Sequence, residues 1–368
     1  MTDMPQDALS ALNDEERAVV TDLATMTYEQ VRAKHGWSRG RIYALAMRTG
    51  ARKTETRIRE KAAERAARRR ETLIELIDRT ATADVLDYLD AMPGDCARLV
   101  LTSCPYNLGK SYGQGASADA MRHVYFMGWL MQIVSEASRV LTEGGTLFLQ
   151  VGSTRDQNDA IVPLDVLIFD AVQRTGLTFQ SRVAWVVPHG LTPKRRLSER
   201  YETALVFSKG PIGVFNPTPA RTPQKQPGKR AFKGPNKGML SGSPFGSHPS
   251  NVWTIPNVAN NNGERTGHPA QFPLELARRA VMLYSNPGDL VIDPFSGSGT
   301  THVACRENGR SFSGCDLFYE DIRARRLAAV GMNAVTPLPG VTDESVAVWQ
   351  ADARRVDHAV DDRQASMI

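Results

Sequence analysis

The chain has 368 residues, 41% hydrophobic and 23% charged, with 12 Phe, 9 Tyr and 5 Trp, which excludes a disordered protein and suits one large domain plus an appendage or two medium ones. No run of about 18 apolar residues occurs, and the opening MTDMPQDALSALNDEE has no apolar stretch, so neither a membrane span nor a secretory signal is expected. Net charge is +5, which leans toward an anionic partner, and Cys96, Cys104, Cys305 and Cys315 have no metal or disulfide spacing, as expected of a cytoplasmic protein.

Residues 1–50 read as a compact helical unit. A first helix is predicted over 14–25, and TYEQVRAKHGWSRGRIYALAMRTG has the rhythm of a helix-turn-helix. Val31, Trp37, Ile42 and Leu45 would form its apolar contacts, Gly36 its turn, and Ser38 the cap of the next helix. That helix would show Arg39, Arg41 and Arg48 to a DNA groove; a small bundle used for packing or dimerisation is the alternative. Residues 51–79 are predicted as a basic linker helix, with nine Lys/Arg against three Glu over 51–70. Its apolar end, Leu73, Ile74, Leu76 and Ile77, should dock on the main domain.

From residue 80 strands and helices alternate. Strands are predicted at 97–103 and 146–152, helices at 119–141 and 163–175, and an antiparallel pair in RVAWVVP and ETALVFSK. The helix at 119–141 would bury Val124, Met127, Leu130, Met131, Val134 and Ala137. Residues 80–210 form one half of this core and 266–335 the other, where PLELARRAVMLYS, DLVIDPF, TTHVACREN, RSFSGCDL and YEDIRARRLAAV read as helix, strand, helix, strand and helix. The expected fold is α/β, a Rossmann-like sheet with helices on both faces, plus the helix-turn-helix-like unit and a loop-rich insertion. The tail, 336–368, has one more candidate strand, VAVWQA.

Residues 203–263 interrupt the pattern. They contain no Asp or Glu but seven Lys/Arg, nine Pro and eight Gly, with Phe215, Phe232, Phe245 and Trp253 spread among them. A disordered insertion is the bland reading. A carboxylate-free, basic, aromatic-dotted segment is also what a phosphate backbone would select, with Lys225, Lys229, Arg230, Lys233 and Lys237 as candidate DNA contacts.

Two turns carry the chemistry. In DLVIDPFSGSGTT, a strand runs through Asp293 into a glycine turn and a helix starts near Thr300; a second strand ends at Asp316, 23 residues after Asp293. This is the grammar of a nucleoside site at the carboxyl end of a parallel sheet, with the second acid on the ribose. No third glycine and no Gly-Lys-Ser/Thr follow, so a phosphate-free cofactor such as S-adenosylmethionine fits best. In LVLTSCPYN, Ser103 and the Cys104 carbonyl would offer two acceptors beside the Tyr106 ring, with Pro105 stiffening the bend. A base stacked on Tyr106 would have its exocyclic amine held by them; an ordinary strand-end turn is the alternative.

Thr-Ser-Cys-Pro-Tyr-Asn resembles the Ser/Asp/Asn-Pro-Pro-Tyr motif of DNA amino-methyltransferases, and Asp-Pro-Phe-Ser-Gly-Ser-Gly-Thr-Thr resembles their cofactor motif. The catalytic motif comes first, as in the permuted β group. Asp84, RRLSERYETALVFSK, Asn251-Val252-Trp253 and Gly267-His268-Pro269-Ala270-Gln271-Phe272-Pro273 extend the likeness over about residues 80–330.

The resemblance implies a site-specific methyltransferase fold using S-adenosyl-L-methionine. Asp293, Phe295, Gly297, Ser298, Gly299 and Thr300 would line its pocket and Asp316 would hold the ribose. His268, Pro269 and Ala270 would close over the methionine end, Asp84 would touch the adenine side, and residues 211–265 would recognise the target. Ser103, Cys104, Pro105 and Tyr106 would be catalytic, acting on a flipped base with no metal. Ser in the first position goes with cytosine N4 and Asp with adenine N6, so cytosine N4 is the first expectation and adenine N6 the second. Cys104 stands where the family has Pro; a thiol attacking cytosine C6, giving C5 methylation, is the third. A DNA-binding S-adenosylmethionine sensor and an RNA or protein methyltransferase are the competing classes. The expected partner is double-stranded DNA, with a homodimer and a cognate restriction endonuclease as further candidates, no membrane, and a nucleoid-associated place in a prokaryote or phage.

Overall fold

The computed structural model describes residues 12–330 except 24, 25, 27, 50–54, 113–118, 120, 157, 159, 191, 196, 242, 244 and 259–262. The VAVWQA strand and the tail expected at 336–368 lie outside the described residues, as do the side chains of Arg39, Arg48 and Val124. The chain divides into two compact units, Met1–Glu71 and Thr72–Ile368. The boundary falls inside a helix, Glu55–Leu76.

In the first unit, α1 (Asp14–Leu23), α2 (Tyr28–His35) and α3 (Arg39–Thr49) enclose a small core of Val19, Leu23, Val31, Trp37, Ile42 and Leu45. Gly36 takes φ +68° between α2 and α3, a conformation that costs glycine little. Ser38 Oγ accepts from the Arg41 amide at 3.2 Å, capping α3.

The Glu55–Leu76 helix is α4. At its end Leu73 and Leu76 pack against the core of the second unit, while Ile74 and Ile77 stay exposed. An i, i+3 pair shares one helix face; the other two residues point elsewhere.

The second unit is built on an eight-stranded sheet. Its strands are β1 (Arg79–Ala81), β2 (Ala97–Ser103), β3 (Leu141–Val151), β6 (Leu177–Val186), β7 (Tyr201–Lys209), β8 (Val252–Thr254), β9 (Leu290–Asp293) and β10 (Ser311–Cys315), in the spatial order β1-β10-β9-β2-β3-β7-β6-β8. The short pair β4 (Ser153–Arg155) and β5 (Ile161–Pro163) stands apart. β7 runs antiparallel to β6, as the sequence pattern anticipates, and antiparallel to β3 on its other side.

Helices cover both faces. On one lie α5 (Val85–Ala91), α6 (His123–Val140) and α7 (Leu164–Arg174), packed on Val100, Leu147, Leu149, Leu205 and Ile292. On the other lie α8 (Leu274–Tyr284) and α9 (Thr300–Glu307), packed on Leu99, Leu101, Phe148, Val206 and Val291, with Leu327 of α10 (Glu320–Ala329) beside them. The buried stripe of α6 is Phe126, Leu130, Ile133, Val134 and Ala137; Met131, expected on it, is exposed. Among the described residues no helix is long and apolar enough to cross a membrane.

The strand order places the site. β9 and β2 are parallel neighbours, yet α9 follows β9 onto one face and α6 follows β2 onto the other. The loops leaving the carboxyl ends of these strands therefore diverge and leave a crevice, the usual ligand position in an open α/β sheet.

Candidate active site

A cavity of about 720 Å³ occupies that crevice. Its walls include Ser103, Cys104, Pro105 and Tyr106 from the turn after β2, and Phe295, Gly297 and Ser298 from the turn after β9. Asp84, His268, Pro269, Ala270 and Asp316 also line it. The two turns that stood apart in the sequence thus face one space, of a size that accommodates a small-molecule ligand.

Asp293, Gly299 and Thr300 do not line the cavity. Asp293 is fully buried, accepting from Thr102 Oγ1 at 2.8 Å, Thr301 Oγ1 at 2.6 Å and the Phe295 amide at 3.1 Å. Its carboxylate braces the turn instead of meeting a ligand. Burial, opposed by these bonds, pushes it up to about 6.

The glycine turn is held from behind. Gly297 and Gly299 take φ +46° and +76°, and a Cβ on Gly297 would meet His268 Nε2 at 2.8 Å. Two arginines of α10 bind its carbonyls: the buried Arg323 donates to Gly297 O at 3.3 Å, and Arg326 to Ser298 O at 3.0 Å. The Asp316 carboxylate accepts the Gly297 amide through one oxygen and the Phe318 amide through the other, both at 2.9 Å. Each oxygen keeps a lone pair for a hydroxyl donor. Burial raises Asp316 above the ordinary carboxylate range.

His268 is neutral. Burial and then the charges of Lys110, Arg323 and Arg326 hold it down to about 4. Its Nδ1 accepts from the Ala270 amide at 3.2 Å, which assigns the proton to Nε2. Asp84 caps α5, accepting from the Leu86 amide at 2.8 Å. Trp129 stands against Phe295 with ring centroids 5.6 Å apart, forming an aromatic wall.

On the opposite side, Ser103 ends β2, and Cys104 is buried with its thiol pushed up to about 12 by burial. That side chain is a packed hydrophobe, not a poised nucleophile. Asp119 anchors the loop beyond Tyr106, accepting from the amides of Asn107, Leu108 and Lys110 at 2.9, 3.1 and 3.0 Å. Tyr106 donates to Glu202 Oε2 at 2.8 Å and accepts from Gln150 Nε2 at 2.7 Å.

Residues 97–324 match the family model described as DNA methylase, of the N6/N4 type. The chain belongs to this DNA methylase family. Over 241 residues the chain is 35% identical to the type II methyltransferase M.BglII of Bacillus subtilis, covering 66% of each chain, so it spans just under two thirds of that relative's length. It is 29% identical over 242 residues to the DNA adenine methyltransferase YhdJ of Escherichia coli strain K12, covering 65% of this chain and 78% of that one. Among solved structures, the PvuII DNA methyltransferase, described as cytosine-N4-specific, overlays with a TM-score of 0.51 at 21% identity, over 69% of this chain and 88% of that one, a likeness of fold.

The basic insertion carries backbone pairing among its described residues. Ala231 and Met239, and Ser241 and Lys229, pair through backbone bonds of 2.8 Å, making a hairpin-like finger. Lys225, Lys229, Arg230, Lys233 and Lys237 are exposed on it, and Phe232 is 92% exposed. Trp253, one of the aromatic residues spread through this segment, is buried, stacked on Phe148 at 5.7 Å. In the helical unit, the Arg41 guanidinium lies 3.5 Å from the Trp37 ring centroid and 3.8 Å from Glu15, so it is engaged within its own unit.

Sequence reasoning missed Gln150, Glu202, Trp129, Lys110, Arg323 and Arg326. The first four line the cavity and the two arginines support the glycine turn. A lone polar or aromatic residue carries no spacing signature. Only the run of arginines in YEDIRARRLAAV, on the helix after Asp316, was a usable signal.

Proposed function

We propose that this methylase transfers the methyl group of S-adenosylmethionine to the exocyclic N4 amine of cytosine in duplex DNA, after the base is drawn out of the stack. The observation that carries this reading is the single cavity shared by the Ser103–Tyr106 turn and the Phe295–Ser298 turn. The donor set fits the cofactor. Asp316 offers free acceptor capacity for ribose hydroxyls, Phe295 and Trp129 offer aromatic surface for adenine, and neutral His268 brings no positive charge against a sulfonium. When bound, S-adenosylmethionine supplies an electrophilic methyl group on a positively charged sulfur.

The residues of the chain prepare the other reactant. An exocyclic amine is a weak nucleophile because its lone pair is spread into the ring. Ser103 Oγ and the Cys104 carbonyl would accept its two N–H bonds, draw the nitrogen toward a pyramidal shape and aim the lone pair. Tyr106 would stack on the base and fix its plane. Alignment of two bound reactants is worth up to about 7–11 kcal/mol of barrier, so orientation is the main contribution asked of these residues. The exposed basic finger supplies a surface suited to phosphates.

Ser103 in the first motif position favours cytosine N4. Adenine N6 is the second reading, favoured by the likeness to a relative named for adenine. The buried Cys104 thiol disfavours C5 chemistry. The test is incubation with methyl-labelled S-adenosylmethionine and unmodified duplex DNA, followed by mass spectrometry of the nucleosides. N4-methylcytosine is expected; N6-methyladenine or 5-methylcytosine replaces the base assignment. Cofactor binding with no transfer to any DNA would turn the reading into a sensor.

A further inference from the structure

Tyr106 is held more firmly than stacking on a base requires. A phenyl ring alone would stack, yet the Tyr106 hydroxyl is gripped by two side chains from neighbouring strands, Gln150 of β3 and Glu202 of β7. Gln150 also donates to the same Glu202 oxygen, closing a three-membered group.

The sheet register explains how these residues meet. Ser103 is the Cα partner of Gln150, Gln150 of Ala204, and Glu202 lies two residues before Ala204 on the same face. That face is apolar directly below them, through Leu101, Phe148 and Val206, and is polar at its carboxyl edge, where Ser103, Gln150 and Glu202 line the cavity. Gln150 is 2% exposed. An amide buried so deeply is costly unless paired, and it is paired with Tyr106 and Glu202.

The backbone limits the ring as well. A Cβ on Gly152 would lie 2.6 Å from Tyr106 Cε2, so the ring rests directly on the chain just past β3. With the ring seated on Gly152 and the hydroxyl tethered at its far end, both side-chain torsions of Tyr106 are determined.

We infer that Glu202 is a positioning residue: with Gln150 it sets the tilt of the Tyr106 ring, making it a preset plate for the extruded base. This rests on the reading that Tyr106 receives the target base. Glu202 acts through Tyr106, so its effect depends on the phenol being there.

The experiment uses the full chain and unmodified genomic duplex DNA containing every short sequence context. The rate of methyl transfer at saturation, KM for DNA, affinity for S-adenosylmethionine and thermal midpoint are measured for Glu202→Ala, Glu202→Gln, Tyr106→Phe and the double variant Tyr106→Phe/Glu202→Ala. Glu202→Ala is expected to lower the saturated rate on the order of 10²-fold, the scale of a small misplacement of a reactant, with cofactor affinity unchanged. Glu202→Gln keeps an oxygen that accepts from the phenol and should restore most of the rate. The double variant should be no slower than Tyr106→Phe, because the two side chains act as one unit.

A wild-type rate in Glu202→Ala would overturn the inference. So would losses that multiply in the double variant, or a loss that tracks the thermal midpoint and is not restored by Glu202→Gln. Should Glu202→Ala fail to fold, Glu202→Gln against Tyr106→Phe carries the same comparison: a Gln variant as slow as the Phe variant overturns it. If the unaltered chain methylates no duplex, the proposed function fails first and the inference falls with it.

Discussion

Thr102 Oγ1 donates a 2.8 Å hydrogen bond to the Asp293 carboxylate, joining the strand that ends in the Ser103–Tyr106 turn to the strand that ends in the glycine turn across 191 residues of chain. Both groups are buried. The bond sets the spacing of the two turns that face the cavity. A hydrogen bond to a buried charged acceptor is worth about 1.5–3 kcal/mol. Thr102→Val should lose about that much stability, read by urea unfolding, and should slow methyl transfer as the turns drift.

Asp293 should also leave a mark on the pH dependence of stability. Burial pushes its folded value up to about 6, above its ordinary 3.8. The folded state then binds the extra proton between roughly pH 4 and 6, so stability contributed by this group is present at the acid end and lost as the pH rises through about 6, by about 3 kcal/mol at most. The unfolding free energy of the wild type minus that of Asp293→Asn should fall across this window; a difference that grows with pH would contradict the assignment.

Ser103→Ala removes one of two acceptors for the target amine. Single-turnover methyl transfer should drop on the order of 10²-fold, the usual loss for one preorganised hydrogen-bond partner, while S-adenosylmethionine affinity stays within error. An undiminished rate would take Ser103 out of the mechanism.

Asp316→Ala removes the carboxylate that accepts the Gly297 and Phe318 amides. Calorimetry should find Kd for S-adenosylmethionine weaker by about 10- to 100-fold, the equivalent of about 1.4–3 kcal/mol. Asp316→Asn, which keeps an acceptor oxygen, should lose less.

Cys104→Ala tests the remaining chemistry at the catalytic turn. With the thiol buried and pushed up to about 12, it supplies packing and its backbone carbonyl, and the alanine variant keeps that carbonyl. Its transfer rate should stay within about threefold of wild type, at a stability cost of roughly 1–2 kcal/mol for the lost buried sulfur. Complete loss of transfer with the fold intact would revive attack on cytosine C6.

The longer strands and helices, the Ser38 cap and the two turns were legible in the amino-acid sequence, because propensity, hydrophobic period and turn chemistry are properties of neighbouring residues. Pro105, Tyr106, Gly297 and Gly299 announce themselves within a few positions of chain. What each side chain faces is a different matter, since it depends on partners far away. Asp293 sits at a strand end like any ribose-binding acid, and only Thr102 and Thr301 turn it inward. Trp253 lies in a basic loop-rich stretch, and only Phe148 beneath it makes it core. Gln150 and Glu202 are single polar residues near strand ends, and only the register of β3 with β7 and the seat at Gly152 bring them to Tyr106.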